Sequence, residues 1–88
     1  MTFEFDRAKS DSNKAKHGID FLAASALWQS EVVLVPARET SEKRYLVIGK
    51  IGSGFWSAII TYRGPRIRII SVRRSTPREI SIYEENTR

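Results

Sequence analysis

The apolar positions of this chain follow two periods. Thr2-Phe3-Glu4-Phe5 alternates and predicts a short strand with Phe3 and Phe5 on one face. From Arg7 to His17 the chain turns polar, with Ala8, Ser12, Ala15 and Ile19 as a narrow inner stripe, which predicts a helix capped by Asp6 and ended by Gly18. Asp20 repeats the cap signal, and Phe21, Ala24, Leu27 and Trp28 follow at helical spacing, so a second helix is expected over residues 21–29.

Val32-Val33-Leu34-Val35 is a β-branched run stopped by Pro36, and residues 37–43 form a charged connection. Three further strand signals cover Tyr45 to Ile51, Phe55 to Tyr62 and Arg66 to about Arg73. They are separated by the three-residue turns Gly52-Ser53-Gly54 and Arg63-Gly64-Pro65. Turns this short imply antiparallel hairpins, hence a meander. Thr76-Pro77-Arg78-Glu79 combines an N-cap, a proline at the first helical position and a glutamate at the third, the signature of a capping box. A C-terminal helix is therefore expected from Pro77 to about Asn86, burying Ile80 and Tyr83 with Ile82 beside them. Phe55 and Ile59 lie on the opposite strand face from Trp56 and Ile60, so the sheet needs cover on both sides. The N-terminal helices supply one, and the C-terminal helix or a partner protein the other.

The predicted class is α+β, one domain of 88 residues, with an antiparallel sheet, two N-terminal helices and one C-terminal helix. A content of 41% hydrophobic and 28% charged residues is that of a soluble globular chain and excludes disorder or a fibre. Cysteine is absent, which excludes disulfides and thiolate metal sites, and a single histidine argues against conventional zinc. No cofactor is expected. The start has no secretory leader pattern and no segment reaches membrane-spanning length, so the expected location is the cytoplasm.

Charge changes this picture. Residues 1–44 hold seven basic and seven acidic side chains, whereas residues 45–88 hold eight and three, so the net charge of +5 is all C-terminal. Arg63, Arg66, Arg68, Arg73, Arg74 and Arg78 fall in one run without Asp or Glu, threaded by an apolar strand. Guanidinium groups on a rigid element suit an anion, above all phosphate. Strict alternation places Arg66 and Arg68 on one face with Arg74, and Arg73 on the other, unless a bulge intervenes. Glu42 and Arg44 enter the central strand one residue apart, either as a solvated ion pair or as a general base beside a phosphate-binding guanidinium. His17 at a helix end is a capping residue or an acid–base candidate.

Three stretches taken together resemble one known family. Phe3-x-Phe5-Asp6-x-x-Lys9 with Asn13-x-x-Lys16-His17-Gly18-Ile19-x-Phe21 and Ala24, Glu42-x-Arg44-Tyr45-x-x-Ile48-Gly49, and the segment from Ile67 to Glu84 are similar to the BrnT-type toxins. That resemblance implies a RelE-like fold and a ribonuclease toxin of a type II toxin–antitoxin pair, acting without metal. It also implies a BrnA-like antitoxin in a tight heterotetramer or higher assembly, with operator DNA bound only through the antitoxin, and no membrane. The expected catalytic set is Arg73 or Arg74 with Arg44 on the phosphate, Glu42 or His17 as base or acid, and Tyr83 as proton donor or stacking group. Arg66, Arg68 and Lys16 are the expected RNA contacts. The alternatives are a non-catalytic basic RNA- or ribosome-binding module, and a protein-interaction subunit whose arginines dock the antitoxin.

Overall fold

The computed structural model describes residues 1–37 and 41–88, so the expected connection over 37–43 falls in part, at residues 38–40, outside the described residues. The elements are β1 (Thr2–Glu4), α1 (Arg7–His17), α2 (Phe21–Ala24) continued by a 3-10 segment (Ser25–Gln29), β2 (Val33–Pro36), β3 (Tyr45–Ile51), β4 (Gly54–Arg63), β5 (Arg66–Arg74) and α3 (Pro77–Asn86). The α+β class holds: three helices accompany a five-stranded mixed sheet of order β1-β5-β4-β3-β2. No helix among the described residues is long and apolar enough to cross a membrane.

The sheet is not a simple meander. Strands β2 to β5 are antiparallel neighbours in chain order, but β1 joins the far edge parallel to β5, with Phe3 opposite Ile67 and Glu4 opposite Arg68. Local alternation in Thr2–Phe5 says that a strand forms, not where it pairs. The two hairpin turns hold two residues rather than three, Gly52-Ser53 and Gly64-Pro65, and each begins with a glycine at positive φ (61° and 58°).

The expected second helix is only one α-helical turn, tightened afterwards into 3-10 geometry. Ser25 supplies a physical reason, because its hydroxyl donates to the Leu22 carbonyl at 2.6 Å and competes with the regular ladder. The inner stripe of α1 also differs. Ala8, Ser12 and Ala15 are exposed, and the buried positions are Ser10 and Asn13. Ser10 Oγ accepts the Phe21 N–H at 2.9 Å. The Asn13 carboxamide donates to the carbonyls of Ile19 (2.8 Å) and Val72 (2.9 Å), and accepts from the Val72 N–H at 3.2 Å. Asn13 thus pairs with both backbone groups of Val72 as a neighbouring strand would, beyond the point where β1 ends. Polar bonds, not an apolar stripe, dock this helix.

Phe21, Ala24 and Leu27 cover the sheet face formed by Val47, Ala58, Ile60, Ile67, Ile69 and Val72. On the opposite face α3 packs against β2 and β3. There the Tyr83 ring meets Phe55 edge-on at 5.7 Å and its hydroxyl donates to the Glu31 carbonyl at 3.1 Å. The capping box at Thr76 forms as expected.

The decisive irregularity lies in β5. Ile60 is opposite Ile69 and Ile59 is opposite Ser71, which leaves Ile70 as an extra residue. An extra residue reverses the parity of all that follows. Beyond the bulge Val72 and Arg74 continue the helix-covered face of Ile67 and Ile69, while Arg73 joins Arg66 and Arg68. The strict-alternation assignment of Arg74 and Arg73 is therefore reversed.

Candidate functional site

The sheet face away from α1 carries Arg63, Arg66 and Arg68 near the β4–β5 turn and Arg73 at the far end of β5. Arg68 and Arg73 pair with Thr61 and Ser57, four residues apart on β4, which is roughly 13 Å at about 3.3 Å per residue. Each end has its own carboxylates.

At the turn end, Glu4 of β1 reaches Arg68 at 2.9 Å and Arg66 at 3.7 Å, and Glu42 reaches Arg63 at 3.6 Å. The hydrogen bond from Arg68 is the main reason that the Glu4 carboxyl titrates below its ordinary range. Continuing the β3–β4 register by one residue places Arg44 opposite Thr61, which is itself opposite Arg68. The backbone there is fixed on both sides. The Thr61 hydroxyl donates to the Lys43 carbonyl at 2.7 Å, and Ala37 N–H donates to the Arg44 carbonyl at 3.0 Å. Arg44 Nε is buried with no hydrogen-bond partner among the described residues, beside a cleft of about 220 Å³ lined by Pro36, Ala37, Lys43, Arg44 and Tyr45. A buried unpaired donor of this kind is costly unless a ligand oxygen completes it.

The helix end is built differently. Arg73 makes a two-point contact with Glu79, Nη1 to Oε1 at 2.7 Å and Nη2 to Oε2 at 2.8 Å. Glu79 also accepts from the Ser57 hydroxyl at 2.9 Å and from the Thr76 N–H at 2.9 Å, the second being half of the capping box. Its side chain is only 11% exposed. Arg73 foremost, and then Thr76 N–H and Ser57, hold its pKa down to about 2. The same bond raises the pKa of Arg73.

Arg44, Arg66, Arg68, Arg73 and Glu42 are thus brought to one side of the sheet. Arg74 is not: its guanidinium lies over the Trp56 ring at 4.7 Å on the helix-covered face. Lys16 and His17 are exposed in the last turn of α1, which packs on that same face. Tyr83 is buried, with its hydroxyl engaged by Glu31. Sequence reasoning missed Glu4, Glu79 and Ser57 as partners of the arginines. Glu79 was legible only as a helix cap. Its place six residues after Arg73, across a turn into a helix, was the available signal.

Residues 5–79 fit the family model described as "Ribonuclease toxin, BrnT, of type II toxin-antitoxin system". No curated protein matches the chain.

Proposed function

The chain belongs to the BrnT family of ribonuclease toxins of type II toxin–antitoxin systems, and from that premise we propose a metal-independent RNA cleavage on the sheet face away from α1. The ribose 2′-oxygen loses its proton to a base and attacks the adjacent phosphorus, the 5′-oxygen leaves and takes a proton from the protonated base or from water, and a 2′,3′-cyclic phosphate remains. Such a step needs a base for the 2′-hydroxyl proton and positive charge on the phosphoryl oxygens. Glu42 is the base on this face, and Arg44 with Arg68 takes the scissile phosphate. Arg73 takes a phosphate farther along the strand, while Arg63 and Arg66 draw the polyanion in. Arginines supply the charge that a metal ion supplies elsewhere.

One observation carries this reading: the bulge at Ile70, which puts Arg73 on the face that already carries Arg63, Arg66 and Arg68. The other expected candidates fit less well. Arg74, Lys16 and His17 belong to the opposite face, and Tyr83 reads as the anchor of α3. The sheet with flanking helices supports a RelE-like arrangement, and the cytoplasm is the place where such an enzyme meets its RNA.

The purified protein should cleave a short RNA in the presence of chelator and leave the 2′-deoxy analogue intact. Arg44→Ala and Arg68→Ala should each lose roughly a hundredfold in rate. A strict requirement for added divalent metal, or full activity in both variants, would refute the mechanism. A type II toxin has an antitoxin partner, and we read it here as a BrnA-like protein whose acidic segment lies over Arg66 to Arg78. Crosslinks from the antitoxin confined to the α1 face would exclude that placement.

A further inference from the structure

Glu79 lies outside every expected catalytic set, yet its carboxylate accepts from Arg73, from Ser57 and from the Thr76 N–H together. Of the five N–H groups of Arg73, two go to Glu79, and a second on Nη1 donates to the Arg74 carbonyl at 3.2 Å. The Nε–H and the second Nη2–H remain, and they share the other edge of the planar group. Two parallel donors on one edge match two oxygens of a phosphodiester. The Arg73 side chain is 42% exposed, so the group is within reach of a ligand.

We propose that Glu79 is a positioning residue, which clamps one edge of the Arg73 guanidinium so that the other is presented as a fixed two-point donor to a phosphate of the bound RNA. This rests on the reading of the arginine face as the RNA-cleaving surface. The pair has no net charge, so it contributes little attraction at a distance. What it contributes is orientation: a free arginine samples many rotamers, and fixing it in advance spares the bound RNA that ordering on the way to the transition state, where alignment for attack is needed. Ser57 and the Thr76 N–H hold the carboxylate from behind, which makes the clamp part of the packed junction between β4 and α3.

The test is a cycle of Glu79→Gln and Arg73→Ala on the purified protein, read as RNA cleavage alongside thermal unfolding. Glutamine keeps an acceptor for Thr76 and Ser57 but loses the ionic two-point contact. Folded Glu79→Gln should lose about tenfold in kcat with little change in KM, and should add nothing to the loss already caused by Arg73→Ala. A folded Glu79→Gln with the kcat of the parent overturns the inference, as does a loss from Glu79→Gln that is equally large with and without Arg73→Ala. If Arg73→Ala itself cleaves like the parent, Arg73 leaves the reaction and the inference falls with it. Loss in Arg73→Ala alone, with Glu79→Gln intact, overturns the clamp and spares the mechanism. Should Glu79→Gln fail to fold, the parent protein answers by NMR. Restricted guanidinium rotation at Arg73, with distinct Nη proton signals against averaged ones at Arg66, supports the clamp, and equal averaging at both refutes it.

Discussion

The two ends of β5 use the same chemistry, arginine against glutamate, to opposite effect. At the turn end the pairs of Arg63 and Arg66 are long, 3.6 and 3.7 Å, with side chains half exposed or more, and the shorter Arg68 bond to Glu4, at 2.9 Å, is a single contact. At the helix end one pair is short, two-pointed and backed by Ser57 and a backbone N–H. Exposed pairs contribute little to stability because water and salt screen them and side-chain entropy opposes them. A pair enclosed on one side is a fixed part of the fold, and removing one member strands the other. One strand thus offers a loosely held charge that attracts and a fixed charge that orients.

The largest effect expected from breaking that contrast is on stability. Glu79→Ala should cost about 3 kcal/mol in urea unfolding, because it removes the Arg73 pair and half of the capping box together. Glu4→Ala, which removes one single-point bond from Arg68 and the long Arg66 pair, should shift the midpoint by much less. Equal losses in the two variants would erase the distinction between the ends. The same carboxylate sets an acid dependence. Its folded pKa of about 2 lies below the ordinary 4.5, so its contribution is complete above about pH 4.5 and is lost as pH falls toward 2. The amount is on the order of 3 kcal/mol. Glu79→Gln should flatten the stability curve in that window, which a pH series of urea titrations checks.

Next in size is the joint between the two ends. Asn13→Leu removes the side chain that pairs with both the N–H and the carbonyl of Val72 and should cost about 2 kcal/mol by thermal unfolding. It should also impair RNA cleavage less than Arg73→Ala does. The smallest effect sharpens the turn end. Arg66→Ala should lower the slope of log binding constant against log salt by about 0.7, with kcat retained at saturating RNA. A kcat loss matching that of Arg73→Ala would make both ends one site.

Much of this was legible in the sequence, for reasons that differ by element. Helix α1 has the bounds expected from Asp6 and Gly18, and the capping box at Thr76 forms with both of its bonds. These are local signals, in which three or four neighbouring residues satisfy one another. The extents of β3, β4 and β5 were also legible, because apolar runs between glycine turns leave little choice. Three things were not. Pairing of β1 with β5 joins residues more than sixty positions apart, and no local pattern encodes it. The bulge at Ile70 occurs inside Ile67-Arg68-Ile69-Ile70-Ser71-Val72, where either parity buries isoleucines. Asn13 looked like a polar helix surface, since the backbone groups that it satisfies belong to another element. The candidate site inherits those gaps: its residue types were foreseen, and its division into two ends followed only from the bulge.

The connection from Arg73 to Glu79 also sets an order of events in synthesis. The chain emerges from the ribosome with its arginines before the carboxylate that aims the last of them on that face. Until residues 76–83 can wind into the first turns of α3, a nascent chain carries the charge of β5 without the fixed edge of Arg73. A premature stop or a proteolytic cut between Arg74 and Glu79 would yield the same species, a polycation that keeps the charge of β5 but has lost the aim of its outer guanidinium.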